Sequence, residues 1–229
     1  MELGLLGDVR GKSILHLQCH FGQDSISLAK MGAKVTAIDL SDQAIISAKE
    51  LAEKSGVEVS FICCDVYDLP THLNEQFDLV FTSYGVISWL PDLDRWALVL
   101  SSFLKTGGRF VFVEFHPLLW MFDDDFKKIA YNYFNSGAIL ETETGSYADK
   151  NTETSHEYVV WNHSIAEVVN GLIKNNMALN SLDQFDYSPY HCLKNMLEEE
   201  PGKYRISHLG NQIPMVYAIA ATKLGSAMG

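Results

Sequence analysis

The chain has 229 residues, 47% hydrophobic and 20% charged, which describes a globular protein of one domain with room for an insertion. Seventeen basic residues against 29 acidic ones leave a formal charge of −12, a surface that repels phosphate backbones, so no nucleic-acid partner is expected. No apolar run approaches the roughly 20 residues of a spanning helix, so no membrane partner is expected either.

In chain order, Met1–Asp8 has neither the basic region nor the long apolar core of a signal peptide. A first strand is predicted over Ser13–Gln18, then a helix over Gly22–Met31, closed by Gly32. A second strand follows over Lys34–Asp39. Ser41 is a plausible N-cap for the next helix, in which Ala44, Ile45, Ala48, Leu51 and Ala52 form one apolar stripe, with Gly56 as its stop. A third strand is predicted over Val57–Cys64, a fourth over Phe77–Thr82, a helix over Leu93–Leu104, and a fifth strand over Arg109–Phe115 after the stop at Gly107-Gly108. Strands alternating with helices at this spacing imply right-handed βαβ units and an α/β, doubly wound parallel sheet, covered by helices on both faces.

The pattern changes at His116-Pro117. Residues 116–160 carry eight acids against three bases, and are too long for a simple connection, so they are expected to form an insertion or lid beside the sheet of a single domain spanning residues 1–229. A helix over Ser164–Asn175 and strands over Met177–Phe185 and Pro214–Thr222 complete the chain, with Pro214 confined to a strand's first residue because it has no N–H. Of the cysteines Cys19, Cys63, Cys64 and Cys192, all but Cys192 lie in apolar surroundings, so buried free thiols in a reducing cytoplasm are expected rather than a disulfide framework.

Open α/β sheets bind ligands outside the carboxyl ends of their strands. Those ends here are Gln18–Asp24, Asp39-Leu40-Ser41, Asp65-Val66-Tyr67, Ser83-Tyr84-Gly85 and His116-Pro117. Asp39 stands 17 residues past Gly22, where an acid holds the vicinal hydroxyls of a ribose in dinucleotide folds. The first loop does not fit a pyrophosphate, because Gln18, His20 and Phe21 bring side chains where bare backbone is required. A smaller ligand with one carboxylate remains compatible with it.

Leu15-His16-Leu17-Gln18-Cys19-His20-Phe21-Gly22, the acids Asp39 and Asp65, Phe77-Asp78-Leu79-Val80 and the turn Leu104-Lys105-Thr106-Gly107-Gly108-Arg109 together resemble the class I S-adenosylmethionine-dependent methyltransferases, well over Gly11–Phe115 and more loosely beyond. The resemblance implies a Rossmann-like, mostly parallel seven-stranded sheet with an antiparallel last strand. It implies S-adenosylmethionine as cofactor, with Asp39 and its neighbour Leu40 at the ribose, Asp65 and the Val66 N–H at the adenine, and the Gln18–Gln23 loop at the methionine end. Glycines are usual where this chain has Gln18 and His20. The departure points to the His20 or Gln23 side chain at the cofactor carboxylate, beside Gly22 and with Ser83 completing the site. His16 stands where an acid is commoner and has a structural reading.

Methyl transfer is an in-line displacement that needs its acceptor held close to the methyl carbon. Phe21, Tyr84 and Trp89 could face a cationic sulfur. Tyr84 and His116 are the candidate catalytic residues, with Glu114, His163 and His191 as further possible bases. The acceptor is expected to be a small molecule, and a homodimer is left open. Related enzymes carry a further helical segment ahead of the first strand, so covering of the site is expected from residues 116–160 or from a start upstream.

Other signals carry less. His16, Cys19 and His20 span a strand and a turn, which does not suit a metal, and none is expected. Cys63 and Cys64 point to opposite faces. Tyr190 and Lys194 have the spacing of a dehydrogenase pair but come too late in the chain. Asp123–Asp125 read as a solvated face, and Trp120, Met121 and Phe122 as pocket lining or lid anchor. The alternatives to a methyltransferase are an NAD(P)-dependent oxidoreductase and a catalytically idle nucleoside-binding domain.

Overall fold

A computed structural model describes residues 1–144 and 155–225. Eleven strands lie among these residues: β1 Ser13–His16, β2 Lys34–Asp39, β3 Ser60–Cys63, β4 Phe77–Ser83, β5 Leu104–Phe115, β6 Ile139–Thr144, β7 Ser155–Val160, β8 Met177–Phe185, β9 Met196–Glu200, β10 Lys203–Ile206 and β11 Val216–Lys223. The helices are α1 Glu2–Leu6, α2 Gln23–Lys30, α3 Asp42–Lys54, α4 Leu69–His72, α5 Leu93–Ser102 and α6 Ile165–Lys174. No described helix is long and apolar enough to cross a membrane.

Seven strands form one sheet in the order β3-β2-β1-β4-β5-β11-β8. The first five are parallel, while β11 runs antiparallel to both β5 and β8. The sheet is therefore Rossmann-like and mostly parallel, and the antiparallel strand is the last in the chain. Strand order reverses between β1 and β4, which opens a crevice above their carboxyl ends.

The central strands are buried because both faces are covered. Trp96 of α5 and Val168 and Leu172 of α6 pack on one face against Phe110 and Phe112. Leu6, Leu28 and Ile45, from α1, α2 and α3, pack on the other against Leu79, Phe81 and Val111. The caps are local: Ser41, Asp92 and Ser164 accept the N–H groups of Ala44, Arg95 and Glu167 at the starts of α3, α5 and α6.

Several expected bounds shift. β1 stops at His16, because Gln18 already adopts a left-handed backbone. β3 begins at Ser60 rather than Val57. α5 ends at Ser102, and Leu104 already pairs with Phe77, so residues 105–108 bulge out of a strand that begins earlier than expected. Pro214 precedes β11 rather than opening it. Helix α1 and the hairpins β6–β7 and β9–β10 have no counterpart in the sequence reading. Cys63 is exposed, not buried.

Candidate active site

The first loop keeps the backbone of a glycine loop while carrying side chains. Gln18 (φ 56°), His20 (φ 50°) and Gly22 (φ 78°) are all left-handed, which costs about 1–2 kcal/mol at each non-glycine position. Only at Gly22 is glycine sterically required: a Cβ there would lie 3.0 Å from Ala48 and from the Phe61 ring. The loop is held by the tip of β2, where Asp39 Oδ2 accepts the His20 N–H at 2.7 Å and Oδ1 accepts the Ser41 N–H at 2.9 Å. Each carboxylate oxygen keeps a further lone pair.

Beside Asp39, Leu40 is 69% exposed, a flat apolar surface at the sheet's carboxyl edge. After β3, Asp65 caps a short turn by accepting the Tyr67 N–H at 2.8 Å, and Val66 is buried. Gln18 reaches the opposite way, across the crevice: its Nε2 donates to the Val86 carbonyl at 3.2 Å, and its Oε1 is buried without a partner. Ser83 donates to Asp24 Oδ2 at 2.9 Å. The structure thus brings Gln18, His20, Gly22, Gln23, Asp39, Leu40, Asp65, Val66 and Ser83 to the carboxyl ends of four adjacent strands.

The candidate bases fare differently. Tyr84 donates its hydroxyl to Glu2 on α1, and burial together with that carboxylate pushes its pKa up. His116 is 7% exposed, its Nδ1 accepts the Leu118 N–H at 3.1 Å, and its Nε2 lies 3.3 Å from the Gln184 amide. Burial lowers the pKa of the ring to about 4, so it is neutral near pH 7. Both nitrogens of His116 thus have a neighbour within hydrogen-bond distance.

Glu114 is engaged by the backbone. Its buried carboxylate accepts the N–H groups of Gly85, Val86, Ile87 and Phe115, and so anchors the loop after β4. His163 bridges the Leu90 carbonyl and Glu167 at the start of α6. His16, 1% exposed, bonds Ser25 through Nδ1 at 2.7 Å and is lowered to about 4 by burial. Lys194 pairs with Asp124 at 2.6 Å.

What the sequence reading missed is an aromatic wall at the carboxyl ends of β4 and β5. Phe115 stands 5.5 Å from Tyr84, 5.8 Å from Trp120 and 6.1 Å from Tyr190, ring centre to ring centre. Met1 packs into the same cluster, and Arg109 holds the Leu5 and Leu6 carbonyls at the other end of α1. The 116–160 segment contributes β6–β7, which meets the β4 loop where Trp161 donates to the Ser88 carbonyl and Trp89 lies 5.5 Å from Tyr158. Residues 145–154 of that segment lie outside the described residues.

Residues 14–108 match the model of a methyltransferase domain. The ubiquinone biosynthesis O-methyltransferase of Coxiella burnetii is 32% identical over 104 residues, which are 45% of this chain and 44% of that protein. The tRNA 5-carboxymethoxyuridine methyltransferase of Escherichia coli is 36% identical over 102 residues, 43% of this chain and 39% of that protein. The chain thus spans less than half the length of these curated relatives. Among solved structures, an S-adenosylmethionine dependent methyltransferase from Mesorhizobium loti has a TM-score of 0.65 at 19% identity, covering 96% of this chain and 94% of that one. A SAM-dependent methyltransferase from Methanosarcina mazei has a TM-score of 0.62 at 20% identity, covering 96% and 95%.

Fold and loop together place a crevice at the carboxyl ends of the parallel strands of a Rossmann-like sheet. Residues 14–108 of this chain thus match a methyltransferase domain, and its fold is that of solved S-adenosylmethionine-dependent methyltransferases. The tRNA methyltransferase among the relatives overturns the expectation, drawn from net charge, that nucleic acid is excluded as an acceptor. Net charge describes the whole surface, whereas an acceptor is recognised by one patch of it.

Proposed function

We propose that this chain binds S-adenosylmethionine across the carboxyl ends of β1–β4 and transfers its methyl group to a small-molecule acceptor beneath the aromatic wall. The observation that carries the reading is the left-handed Gln18–Gly22 loop drawn onto Asp39 by the 2.7 Å His20 bond. It leaves both oxygens of Asp39 with a lone pair for a vicinal diol. When bound, the cofactor supplies a methyl group on a cationic sulfur.

The chain's own residues bind, orient and exclude water. Asp39 accepts the ribose hydroxyls, Leu40 offers its exposed face to the purine, and Asp65 with the Val66 N–H reads the adenine edge. The Gln18–Gln23 loop and Ser83 hold the methionine end. Tyr84, Phe115, Trp120 and Tyr190 form an apolar wall whose ring faces tolerate a cation. Tyr84 acts there as wall rather than base, since its proton is held by Glu2. His116, with both nitrogens engaged, buttresses the start of the 116–160 segment, which covers the acceptor side. Rate enhancement on this reading comes from positioning.

The closed aromatic wall supports a compact, partly apolar acceptor, as does the ubiquinone biosynthesis O-methyltransferase relative. The tRNA methyltransferase relative supports the other reading, a nucleoside within RNA. Incubation with methyl-labelled S-adenosylmethionine, a panel of small phenols and carboxylic acids, and bulk tRNA separates them. Label in a small product supports the proposal; label in tRNA alone overturns its acceptor half.

A further inference from the structure

We propose that the Glu2 carboxylate takes the proton of the methyl-accepting atom, and that the acceptor is an apolar ring bearing a neutral hydroxyl rather than a carboxylate. The inference rests on the proposed acceptor site and deepens it, adding a base to the positioning already described.

Five residues are too few for a helix to hold itself, so α1 is placed by its contacts. Leu6 is buried at its carboxyl end, where Arg109 donates to the Leu5 and Leu6 carbonyls. At the other end Met1 packs into the cluster that contains Tyr84 and Trp120. Glu2 is thereby carried to the aromatic wall, where its Oε1 accepts the Tyr84 hydroxyl. Its Oε2 lies 3.6 Å from the Met1 ammonium. A carboxylate has room for about four hydrogen bonds, and Tyr84 fills one of them. The Glu2 side chain is 25% exposed, so the carboxylate is held in place yet open to a ligand.

Tyr84 keeps its own proton, because burial, the hydrogen bond to Glu2 and the charges of Glu2, Tyr190 and Asp24 all push its pKa up. Asp24 is bonded to Ser83 at the tip of β4. Two carboxylates on this side repel an acceptor that is itself an anion, and favour one that brings an O–H to donate. The Tyr84 and Tyr190 rings, edge to face at 5.6 Å, offer an aromatic acceptor its packing surface. The hydroxyl oxygen of the acceptor attacks the methyl carbon, forming the C–O bond and displacing the C–S electron pair onto sulfur. Positive charge builds on the attacking oxygen, its O–H becomes strongly acidic, and the proton passes to Glu2. A methyl ether and the thioether leave, and the Glu2 carboxyl returns its proton to water.

The test follows methyl transfer from labelled S-adenosylmethionine by the wild-type chain and Glu2→Gln, to phenols that are neutral at pH 7 and to nitrophenols already ionised there, with benzoate as the carboxylate control. Urea unfolding and titration with S-adenosylhomocysteine check that the variant folds and keeps its cofactor affinity. Glu2→Gln should lower kcat on the neutral phenols about hundredfold or more. On the ionised nitrophenols, which need no base, it should keep the rate or raise it, since a repelling charge is gone. Equal losses on both sets, or no loss on either, would overturn the inference, as would methylation of benzoate ahead of the neutral phenols. If the wild-type chain binds S-adenosylhomocysteine but methylates no phenol, the inference falls and the cofactor site stands. If it does not bind S-adenosylhomocysteine, the cofactor site itself falls.

Discussion

His20 donates its backbone N–H to the Asp39 carboxylate at 2.7 Å, so the loop after β1 is tied to the end of β2 across 19 residues of sequence. One carboxylate thereby shapes the loop and, on the proposed function, offers its remaining lone pairs to the ribose. Asp39→Ala removes both functions. Its affinity for S-adenosylhomocysteine should fall at least about tenfold by calorimetry, since two hydroxyls lose their acceptor. Retained affinity would place the ribose elsewhere.

Gly22 is the position in that loop where a side chain has no room. Gly22→Ala places a methyl 3.0 Å from Ala48 and Phe61 on a backbone with φ 78°. The variant should lose about 2 kcal/mol or more of stability in urea unfolding. A loss below about 0.5 kcal/mol would show that the loop relaxes freely.

Glu114 gathers four backbone N–H groups in the interior. Glu114→Ala leaves those donors buried, and should destabilise the chain by about 3 kcal/mol or more. The loop after β4 should then exchange its amide hydrogens faster than the rest of the sheet. Uniform exchange would contradict the anchoring role.

Acid should unfold the chain in two stages. His16 and His116 are lowered by burial from 6.5 to about 4, so the unfolded chain takes up protons first as pH falls. Their contribution to stability is full above pH 6.5 and is lost on going down to about 4. Asp78 is lowered from 3.8 to about 2, through hydrogen bonds from Lys105 and from the Ser13 N–H and hydroxyl; its contribution is full above about pH 4 and is lost toward 2. His116→Gln should flatten the slope of unfolding free energy between pH 6.5 and 4, and Asp78→Asn the slope below 4. Unaltered slopes would contradict the burial and bonding described.

The sheet was legible because its strands are apolar runs bounded by glycines and caps, and the positions of Asp39 and Asp65 because they stand at strand ends. The hairpins were not: β9 reads Met-Leu-Glu-Glu-Glu, an exposed, charged strand with no apolar alternation, and α1 is five residues long. The shape of the first loop was hidden because left-handed backbone at Gln18 and His20 carries no compositional mark. Glu114 did leave one, as a lone acid within an apolar strand, yet its partners are amides that sequence does not display. The aromatic wall joins residues 84, 115, 120 and 190, which only the fold brings together.

The central claim is that the crevice over β1–β4 is built for an adenosyl amino acid. Titration of the wild-type chain with S-adenosylhomocysteine, with NAD⁺ in a parallel cell, tests it most directly. Saturable one-to-one binding of S-adenosylhomocysteine, and none of NAD⁺, is the predicted result. Binding of NAD⁺ alone, or of neither, would contradict it.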